Sequence, residues 1–388
     1  MPPITDNTVH KTEKKSHFFL LLNTIGTKSI SGGIGIIIDS KNDKKPRSFT
    51  EFLFSDNLIV FCIILKIYFF MITLIFKIFK NVFFSIFLFV NISIADNSRL
   101  TLNEILPGIF LYSGKNVQPN SLNQGSIANK IAVEGEKYIL VFDTGPSKKF
   151  AKKFINELRK FSKKPIKYVV ISHRHFDHAF GIEAYIEEKS IIFMDKNEFN
   201  YFKKEGPAIN KLLINNLGFD RDNINFDSIN KEKITFIVNN TEIDLGNRKI
   251  LIKNLGRAHT LGDIVSYDYK TNTYLTGDLI FTGRAAAFSD ADIPLWIEAI
   301  EKKLDKPWKF IIPGHGEIIK NTSKIKDTKS WLYFIDKAIK KSALQGDMIS
   351  EIFEYSIPHD IQHLKMKKLT LRQGLKRQMY LYKKKYIE

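Results

Sequence analysis

The stretch KYVVISHRHFDHAFG, residues 167–181, decides how the sequence is interpreted. Its first six residues form a short apolar run rich in β-branched side chains, which predicts a buried strand. The run ends on three histidines and one aspartate, namely His173, His175, Asp177 and His178. Imidazole and carboxylate are the zinc ligands of choice where no thiolate is present, and this set exceeds what one tetrahedral ion needs. The sequence therefore predicts a site for two metal ions at the end of the strand.

The spacing within the run divides these ligands into two sets. Side chains two residues apart at a strand end point the same way, so His173 and His175 are expected to face one position. A helical turn that follows would direct Asp177 and His178 toward a second position. A single histidine would be interpreted as a core or surface residue, but this cluster favours metal binding.

Three later segments repeat the pattern of an apolar run that ends on a polar residue. GRAHTLGD contains His259, YLTGDLIF contains Asp278 and FIIPGHGE contains His315. Each signal is weak alone, because Gly-Asp and Pro-Gly-His-Gly sequences also form ordinary turns. Together they add two histidines and one aspartate at strand ends, where α/β folds collect functional groups.

The surrounding chain alternates short β-rich runs with helical ones from residue 98 to about residue 321, which predicts an α/β domain. Residues 127–141 indicate two strands around a turn, and residues 150–161 indicate an amphipathic helix. The second strand of the pair ends in the DTG sequence that contains Asp143.

With these motifs in this order, residues 106–319 resemble the metallo-β-lactamase superfamily. The motifs that carry the resemblance are Asp143 in DTG, the HRHFDH run, His259, Asp278 and His315. The resemblance implies a four-layer αββα sandwich with the metal site at the edge between two sheets. The domain would span residues 96–321, and a helical extension would follow over residues 322–388.

The resemblance also implies the ligands of two Zn²⁺ ions, with iron or manganese as alternatives. It assigns the first ion to His173, His175 and His259. It assigns the second ion to Asp177, His178 and His315. Asp278 would bridge the two ions.

The implied chemistry follows from such a pair of ions. Two ions about 3.5 to 4 Å apart supply a bridging hydroxide at neutral pH and polarise a carbonyl or phosphoryl oxygen. Asp177 would orient that hydroxide and help to move its proton. Asp143, Thr260 and Asp263 are candidates to orient the ligating imidazoles, although Thr260 and Asp263 equally fit a turn or a helix cap.

Sequence differences from individual branches of the superfamily limit the activities that the resemblance implies. Class B1 and B2 β-lactamases carry cysteine where Asp278 stands, and the single cysteine of this chain is Cys62, in an apolar N-terminal segment. Nucleases of the β-CASP branch need an inserted domain, for which the 37 residues from Asp278 to His315 leave no room. Flavodiiron oxidoreductases have a carboxylate at the position of His175. Glyoxalase II has a different sequence pattern after the bridging aspartate.

The segment GDLIFTGRAAAFSDADIPLWIEAI, residues 277–300, is similar to exported quinoprotein-relay metallohydrolases. These proteins carry a Gly-Arg motif, an acidic turn and a Trp-bearing helix. Arg284 in the Gly-Arg motif is a candidate contact for an anionic substrate, or else a partner of Asp290 or Asp292. Trp296 is expected to lie in the core.

The N-terminal region differs in composition from the rest of the chain. Residues 1–57 show no sustained period and are assigned no domain. Residues 58–95 are predicted to be a hydrophobic leader, either a signal peptide or a membrane anchor. Because Lys77 and Lys80 should stay cytoplasmic, the domain after Ala95 is expected to be periplasmic or secreted.

The formal charge of +18 comes largely from outside the predicted catalytic domain. Residues 1–95 hold eleven basic and six acidic residues, and residues 361–388 hold nine basic residues and one acidic residue. Five apolar residues of this tail predict a packed amphipathic helix with a basic face, namely Leu364, Leu369, Leu375, Tyr380 and Tyr382.

The sequence as a whole predicts an exported dinuclear zinc hydrolase of a small-molecule ester, thioester, lactone or amide. One alternative is a class B β-lactamase-like amide hydrolase. The other is a basic nucleic-acid-binding or membrane-tethered protein with a secondary metal site. A nucleic-acid partner is not expected, because a run of charge is usually a solvated surface.

Overall fold

A computed structural model describes residues 56–96, 100–221, 223–320, 322–346, 349–353 and 355–387. The chain divides into two compact units, Met1–Ile92 and Ser93–Glu388. The prediction that residues 1–57 form no domain falls, apart from the last two of them, outside the described residues.

The described part of the first unit begins with one long helix, α1 (Asp56–Asp96). The predicted hydrophobic leader, residues 58–95, lies within this one continuous helix. No glycine or proline occurs within it, so no residue interrupts the hydrogen-bond ladder. The part Val60–Lys80 is exposed and has a mean hydropathy of 2.2, and by length and composition it could cross a membrane.

The second unit contains two β-sheets. The first sheet has seven strands in sequential order. They are β1 (Asn103–Leu106), β2 (Ile109–Tyr112), β3 (Lys130–Glu134), β4 (Ile139–Phe142), β5 (Ile166–Val170), β6 (Ile191–Met194) and β7 (Ile234–Phe236). Strands β1 to β4 pair antiparallel, and β4 to β7 pair parallel.

The second sheet has five strands. They are β8 (Thr241–Asp244), β9 (Lys249–Gly256), β10 (Asp263–Asp268), β11 (Thr273–Leu275) and β12 (Phe310–Ile312). Their order across the sheet is β12, β11, β10, β9, β8. All pairs are antiparallel except β11 with β12, which is parallel, so the carboxyl ends of these two strands lie at the same edge.

Eight further α-helices lie in the described part of the second unit. They are α2 (Lys148–Phe161), α3 (Phe176–Ala179), α4 (Ile182–Glu187), α5 (Lys196–Leu217), α6 (Ile293–Glu298), α7 (Ser323–Gln345), α8 (Ile349–Ile352) and α9 (Lys367–Tyr386). Helix α2 begins two residues before the predicted start, because the Ser147 side chain accepts a hydrogen bond from the backbone N–H of Phe150 and caps the helix.

Three layers of apolar side chains hold the sheets and helices together. Leu140 and Phe142 of β4 face Ile252 of β9 in the core between the sheets. Val141, which points the opposite way along β4, packs with the helices that cover the first sheet. Leu251 of β9 packs with the helices that cover the second sheet. The predicted four-layer αββα sandwich is confirmed, and burial on both faces explains the continuous apolar runs of the strands.

The C-terminal helices form the outer layer over the second sheet. Trp331 of α7 and Leu375 of α9 belong to the same buried cluster as Leu251 of β9. The prediction that Tyr380 packs inward is wrong, since its side chain is 65% exposed. Tyr382 is buried as predicted, and at 100° per residue Tyr380 lies on the other side of the helix from it.

Candidate metal centre

The predicted metal ligands come from four loops that follow strands. His173 lies three residues after β5, His259 lies between β9 and β10, Asp278 lies three residues after β11, and His315 lies three residues after β12. Because β11 and β12 are parallel, their following loops lie at the same edge of the sheet. The fold therefore brings residues separated by more than one hundred positions into one cluster.

The first group of side chains consists of His173, His175, His259 and Asp278, whose ligand atoms lie within 4.8 Å of one another. Nδ1 of His175 lies 3.0 Å from Nε2 of His173 and 3.3 Å from Nε2 of His259. Nε2 of His259 lies 3.5 Å from Oδ2 of Asp278. Three imidazole nitrogens and one carboxylate oxygen thus converge on one position.

The second group consists of Asp177, His178 and His315, which are all buried. Oδ2 of Asp177 lies 3.3 Å from Nε2 of His315 and 3.7 Å from Nε2 of His178. This group has the two-histidine, one-carboxylate composition that divalent metals accept.

The carboxylate of Asp278 lies between the two groups. Its Oδ1 is 3.2 Å from Nε2 of His178 and 3.5 Å from Nε2 of His315. Its Oδ2 is 3.5 Å from Nε2 of His259 and 3.9 Å from Nε2 of His173. Each oxygen therefore faces a different group, which is the arrangement that a bridging ligand requires.

Unpartnered buried atoms indicate that these residues fit metal ions. Nε2 of His178 and Oδ1 of Asp278 are buried and make no hydrogen bond, although they lie only 3.2 Å apart. Buried polar atoms nearly always have a partner, so two of them facing each other need an explanation. A divalent cation that accepts the lone pairs of both atoms would explain why they face each other.

Burial and charge set the protonation of the histidines in two different ways. Burial lowers the pKa of His173 well below its usual value and lowers that of His259 to about 3, so both imidazoles present free lone pairs. Burial also acts to lower the pKa of His178, but the carboxylates of Asp278, Asp177 and Asp143 overcome it and raise that pKa to about 10. The carboxylates therefore require a positive charge among them, which either a proton or a metal ion provides.

Asp143 holds His178 in position. Its Oδ2 accepts a hydrogen bond of 2.7 Å from Nδ1 of His178, so Nε2 of that ring faces the centre. Its Oδ1 accepts a hydrogen bond of 2.8 Å from the backbone N–H of Ser172. The backbone of Asp143 has a left-handed φ of 65°, a conformation that aspartate tolerates better than most residues.

Two other histidines are oriented by comparable contacts. Nδ1 of His315 donates to the backbone carbonyl of Ile127 at 3.1 Å. Nε2 of His175 lies 3.1 Å from Oδ2 of Asp290, which leaves Nδ1 toward the centre. His259 has no such contact, because its Nδ1 is buried without a hydrogen-bond partner.

Asp290 is a positioning residue that the sequence did not reveal. Besides His175, it binds Nη2 of Arg174 at 2.6 Å and Nη1 of Arg377 on α9. Arg174 in turn binds the buried carboxylate of Glu198 at 2.9 Å. These partners lie 87 to 116 residues from Asp290 in the sequence, so no local pattern could identify them.

Thr260 and Asp263 lie in the turn after His259. The backbone N–H and the hydroxyl of Thr260 both donate to the Asp263 carboxylate at 2.9 Å. Of the two roles that the sequence leaves open, this bonding corresponds to the turn. Burial, reinforced by the carboxylate of Glu198, raises the pKa of Asp263 to about 7.

Arg284 and Trp296 flank the centre. Trp296 is fully buried, as predicted, and its ring centroid lies 4.8 Å from that of His259. Arg284 is buried as well, and its Nε and Nη1 have no hydrogen-bond partner. It pairs with neither Asp290, which binds other residues, nor Asp292, whose side chain caps helix α6.

Comparisons with known proteins agree with this fold and these motifs. Residues 125–315 match the family model of the metallo-beta-lactamase superfamily. The chain is 37% identical over 59 residues to a linear primary-alkylsulfatase of Pseudomonas sp. (strain ATCC 19151), a match that covers 15% of this chain and 11% of that protein. It is 23% identical over 196 residues to a metallo-beta-lactamase type 2 of Bacillus sp. (strain 170), which covers 49% of this chain and 67% of that protein.

Among solved structures, the chain is similar to a metallo-beta-lactamase from Pontibacter korlensis, with 20% identity and a TM-score of 0.45. That similarity covers 60% of this chain and 99% of the other. The family match defines the class of this part of the chain as the metallo-beta-lactamase superfamily. Residues 125–315 form a metallo-β-lactamase superfamily domain within this chain.

Proposed function

We propose that this protein is a dinuclear zinc hydrolase that cleaves a small-molecule ester, thioester, lactone or amide. The observation that carries the proposal is the carboxylate of Asp278, which presents one oxygen to each of two separate ligand groups. His173, His175 and His259 would hold the first ion. Asp177, His178 and His315 would hold the second ion.

When bound, a pair of zinc ions supplies a hydroxide at neutral pH and a Lewis acid that polarises the bond to be cleaved. Within this chain, Asp177 is the candidate to accept and pass on the proton. Burial acts to raise the pKa of Asp177, but His178 and His315 outweigh it and hold the pKa below the usual value. Asp177 is therefore ionised at neutral pH, and its carboxylate can accept a hydrogen bond from water and orient it.

A β-lactamase-like amide hydrolase is the second candidate. The similarity to a metallo-beta-lactamase type 2 over 196 residues favours it. The aspartate at position 278 speaks against it, because the class B1 and B2 enzymes have cysteine there. Nitrocefin turnover by the zinc-loaded protein tests this candidate directly, and turnover comparable to that of the best ester substrate would make it the better description.

We further propose that the domain is exported, with α1 as a signal peptide or membrane anchor. The uncharged apolar stretch of residues 81–95 and the cytoplasmic preference of Lys77 and Lys80, which precede it, support this orientation. N-terminal sequencing of the purified protein tests a cleaved leader. A mature terminus near Asp96 is expected, and a terminus well before Ser93 would contradict cleavage.

The activity is tested by a substrate screen linked to metal content. Zinc-loaded protein is assayed with ester, thioester, lactone, lactam and phosphodiester substrates, before and after chelation. We expect hydrolysis that chelation removes and added zinc restores. The His173→Ala variant should lose it, whereas His359→Ala, which changes an exposed histidine, should retain it. Full hydrolysis by metal-free His173→Ala protein would refute the proposal.

A further inference from the structure

Lys130 is a fully buried cation that the proposed chemistry does not use. It is only 1% exposed, and its Nζ donates one hydrogen bond, of 2.9 Å, to the carbonyl of the preceding Asn129. Among the described residues, no carboxylate forms an ion pair with it. Lysine is almost never fully buried unless it is paired, because its ammonium group presents three donors that need acceptors. The charge of Lys130 therefore needs an explanation beyond packing.

The strand pairing places Lys130 beside the loop that follows β4. In the antiparallel pair of β3 and β4, Ile131 lies opposite Phe142. The next pair in the same register is Lys130 with Asp143, at the end of the two strands. Lys130 therefore lies in the sheet next to the residue whose carboxylate orients His178.

The backbone that leads into Lys130 is bonded to the loop that carries His315. Nδ2 of Asn129 donates to the carbonyls of Pro313 and Gly316, at 2.8 and 2.9 Å. Nδ1 of His315 itself bonds to a backbone carbonyl three residues before Lys130. Lys130 is thus held between this loop and the loop that follows β4.

Three carboxylates are the electrostatic neighbours of Lys130. Burial lowers its pKa below the ordinary value, while the carboxylates of Asp143, Asp177 and Asp278 act to raise it. Asp177 and Asp278 are candidate metal ligands. The carboxylates favour the charged form of Lys130, and its ammonium group therefore acts on the same side chains that would bind the ions.

The same charge has opposite consequences before and after metal binding. Without metal ions, three carboxylates share a buried space, and a nearby ammonium group offsets part of their repulsion. Two divalent ions bring four positive charges against these three negative ones, so Lys130 then repels the bound ions. Because the ions and the ammonium group compete for the same carboxylates, a fixed positive charge at this position opposes zinc binding.

We propose that Lys130 is a built-in counter-ion of the centre, which weakens zinc binding and so sets the zinc concentration at which the centre fills. This inference rests on the proposed zinc hydrolase and goes beyond it, since it concerns the uptake of the ions and not the reaction. Lys130 is too deeply buried to touch a substrate. Because part of the positive charge that the carboxylates require is built into the chain, the domain can fold before zinc is bound.

The zinc affinity of the full chain tests the inference, measured by competition with a chromogenic chelator. Lys130→Met removes the charge at similar volume, and Lys130→Gln removes the charge but retains a donor for the Asn129 carbonyl. We expect both variants to bind zinc about tenfold or more tightly than the wild type. Lys253→Met is the matched control, because its ammonium group binds the Lys303 carbonyl and the Asp305 carboxylate, both at 2.8 Å, and no candidate ligand. This control should bind zinc as the wild type does.

Melting temperatures with and without zinc separate the alternatives. In both Lys130 variants, zinc should raise the melting temperature by more than it does in the wild type, because the rise grows with zinc affinity. If neither variant folds, or if both fold and bind zinc as the wild type does, Lys130 has only a structural role and the inference is overturned.

The two variants also distinguish the charge of Lys130 from its hydrogen bond. Tighter binding by Lys130→Met, while Lys130→Gln binds as the wild type does, would assign the effect to the hydrogen bond and overturn the inference. If the wild type binds two zinc ions and neither variant binds them more tightly, the inference fails and the proposed hydrolase stands. If the wild type binds no zinc, both fail.

Discussion

At the scale of single residues, the position of Asp278 depends on a neighbour that has no side chain. A Cβ added at Gly314 would lie 2.1 Å from Oδ1 of Asp278 and 2.7 Å from the backbone of Gly277. The Asp278 carboxylate is buried among the other candidate ligands and the Gly277 atom is backbone, so neither neighbour can move away easily. Gly314 therefore provides the space in which the Asp278 carboxylate reaches both ligand groups.

We predict that Gly314→Ala displaces Asp278 and removes hydrolysis while the fold persists. The added methyl group would force the carboxylate or the loop to shift, and misplacement of a catalytic group by about 1 Å can reduce the rate about a hundredfold. Activity and zinc content of the purified variant measure this. Gly346→Ala serves as the control, because its Cβ would meet no atom within 4 Å and its left-handed φ of 74° makes the change cost backbone strain away from the centre. Activity of Gly314→Ala equal to that of the control would contradict the prediction.

Asp143 provides a second prediction at this scale. Asp143→Asn should weaken zinc binding at the position of His178 by about 10- to 100-fold, the usual effect of losing a residue that orients a metal-binding histidine. The reason is that the 2.7 Å bond from His178 would lose its charged acceptor. Competition with a chromogenic chelator measures the affinity. An unchanged affinity would show that Asp143 does not position His178.

Asp263 predicts a pH dependence of stability. Its pKa is about 7 in the folded protein against 3.8 as the ordinary value, so the folded state binds the proton more tightly than the unfolded chain. The stabilisation is complete below about pH 4 and is lost as the pH rises to about 7. Asp263→Asn should abolish this loss, so the melting temperature of the variant relative to the wild type should rise across that range. Metal-free protein is used for both, and a constant difference would contradict the assignment.

The sequence predicts seven of the residues at the centre because each stands in a motif at a strand end. It does not predict Asp290, since this aspartate acquires its role from Arg174, His175 and Arg377, which only the folded chain brings together. The same holds for Lys130, which is the first residue of β3 and nevertheless has a fully buried side chain.

At the scale of secondary-structure elements, helix α9 supports the centre through the loop that carries Asp290. Arg377 binds Asp290 itself. Nε2 of the buried Gln378 lies 2.8 Å from the carbonyl of Phe288 and 2.9 Å from that of Ala291. The helix therefore fixes this loop at two points, and through Asp290 it acts on His175.

We predict that Gln378→Leu lowers both stability and zinc affinity. Leucine has a similar volume but would leave the loop carbonyls without donors, at about 1 to 3 kcal/mol for buried groups. Urea unfolding and chelator competition measure the two effects. Arg372→Gln on the same helix is the control, since this side chain is exposed. A variant that is less stable but binds zinc with unchanged affinity would show that α9 does not support the metal centre.

The elements themselves were largely predictable, and the deviations have local causes. The amphipathic pattern locates α2 but not its first two residues, because the cap at Ser147 extends the helix to Lys148. The basic tail is a helix as predicted, but Tyr380 is exposed because it lies on the other side of the helix from the buried Gln378 and Tyr382. Tyr382 packs against α7 as predicted, and its hydroxyl donates a hydrogen bond to the Asp336 carboxylate.

At the scale of the whole molecule, the charge of +18 is unevenly distributed. The basic residues Lys383, Lys384 and Lys385 end α9, where they are favourable to the helix dipole. The side of α9 that carries Leu371 and Leu375 is buried. The tail is therefore part of the sandwich, and its charge is a solvated face of a structural helix.

The central claim is that this sandwich holds two metal ions bridged by Asp278. The most direct measurement is the zinc content of the purified full chain by mass spectrometry, after dialysis against zinc and removal of free metal, for the wild type and for Asp278→Ala. We expect two zinc ions per chain in the wild type and a clear loss of zinc in the variant, because both ligand groups share this carboxylate. A wild type that retains no zinc, or a variant that retains two ions, would contradict it.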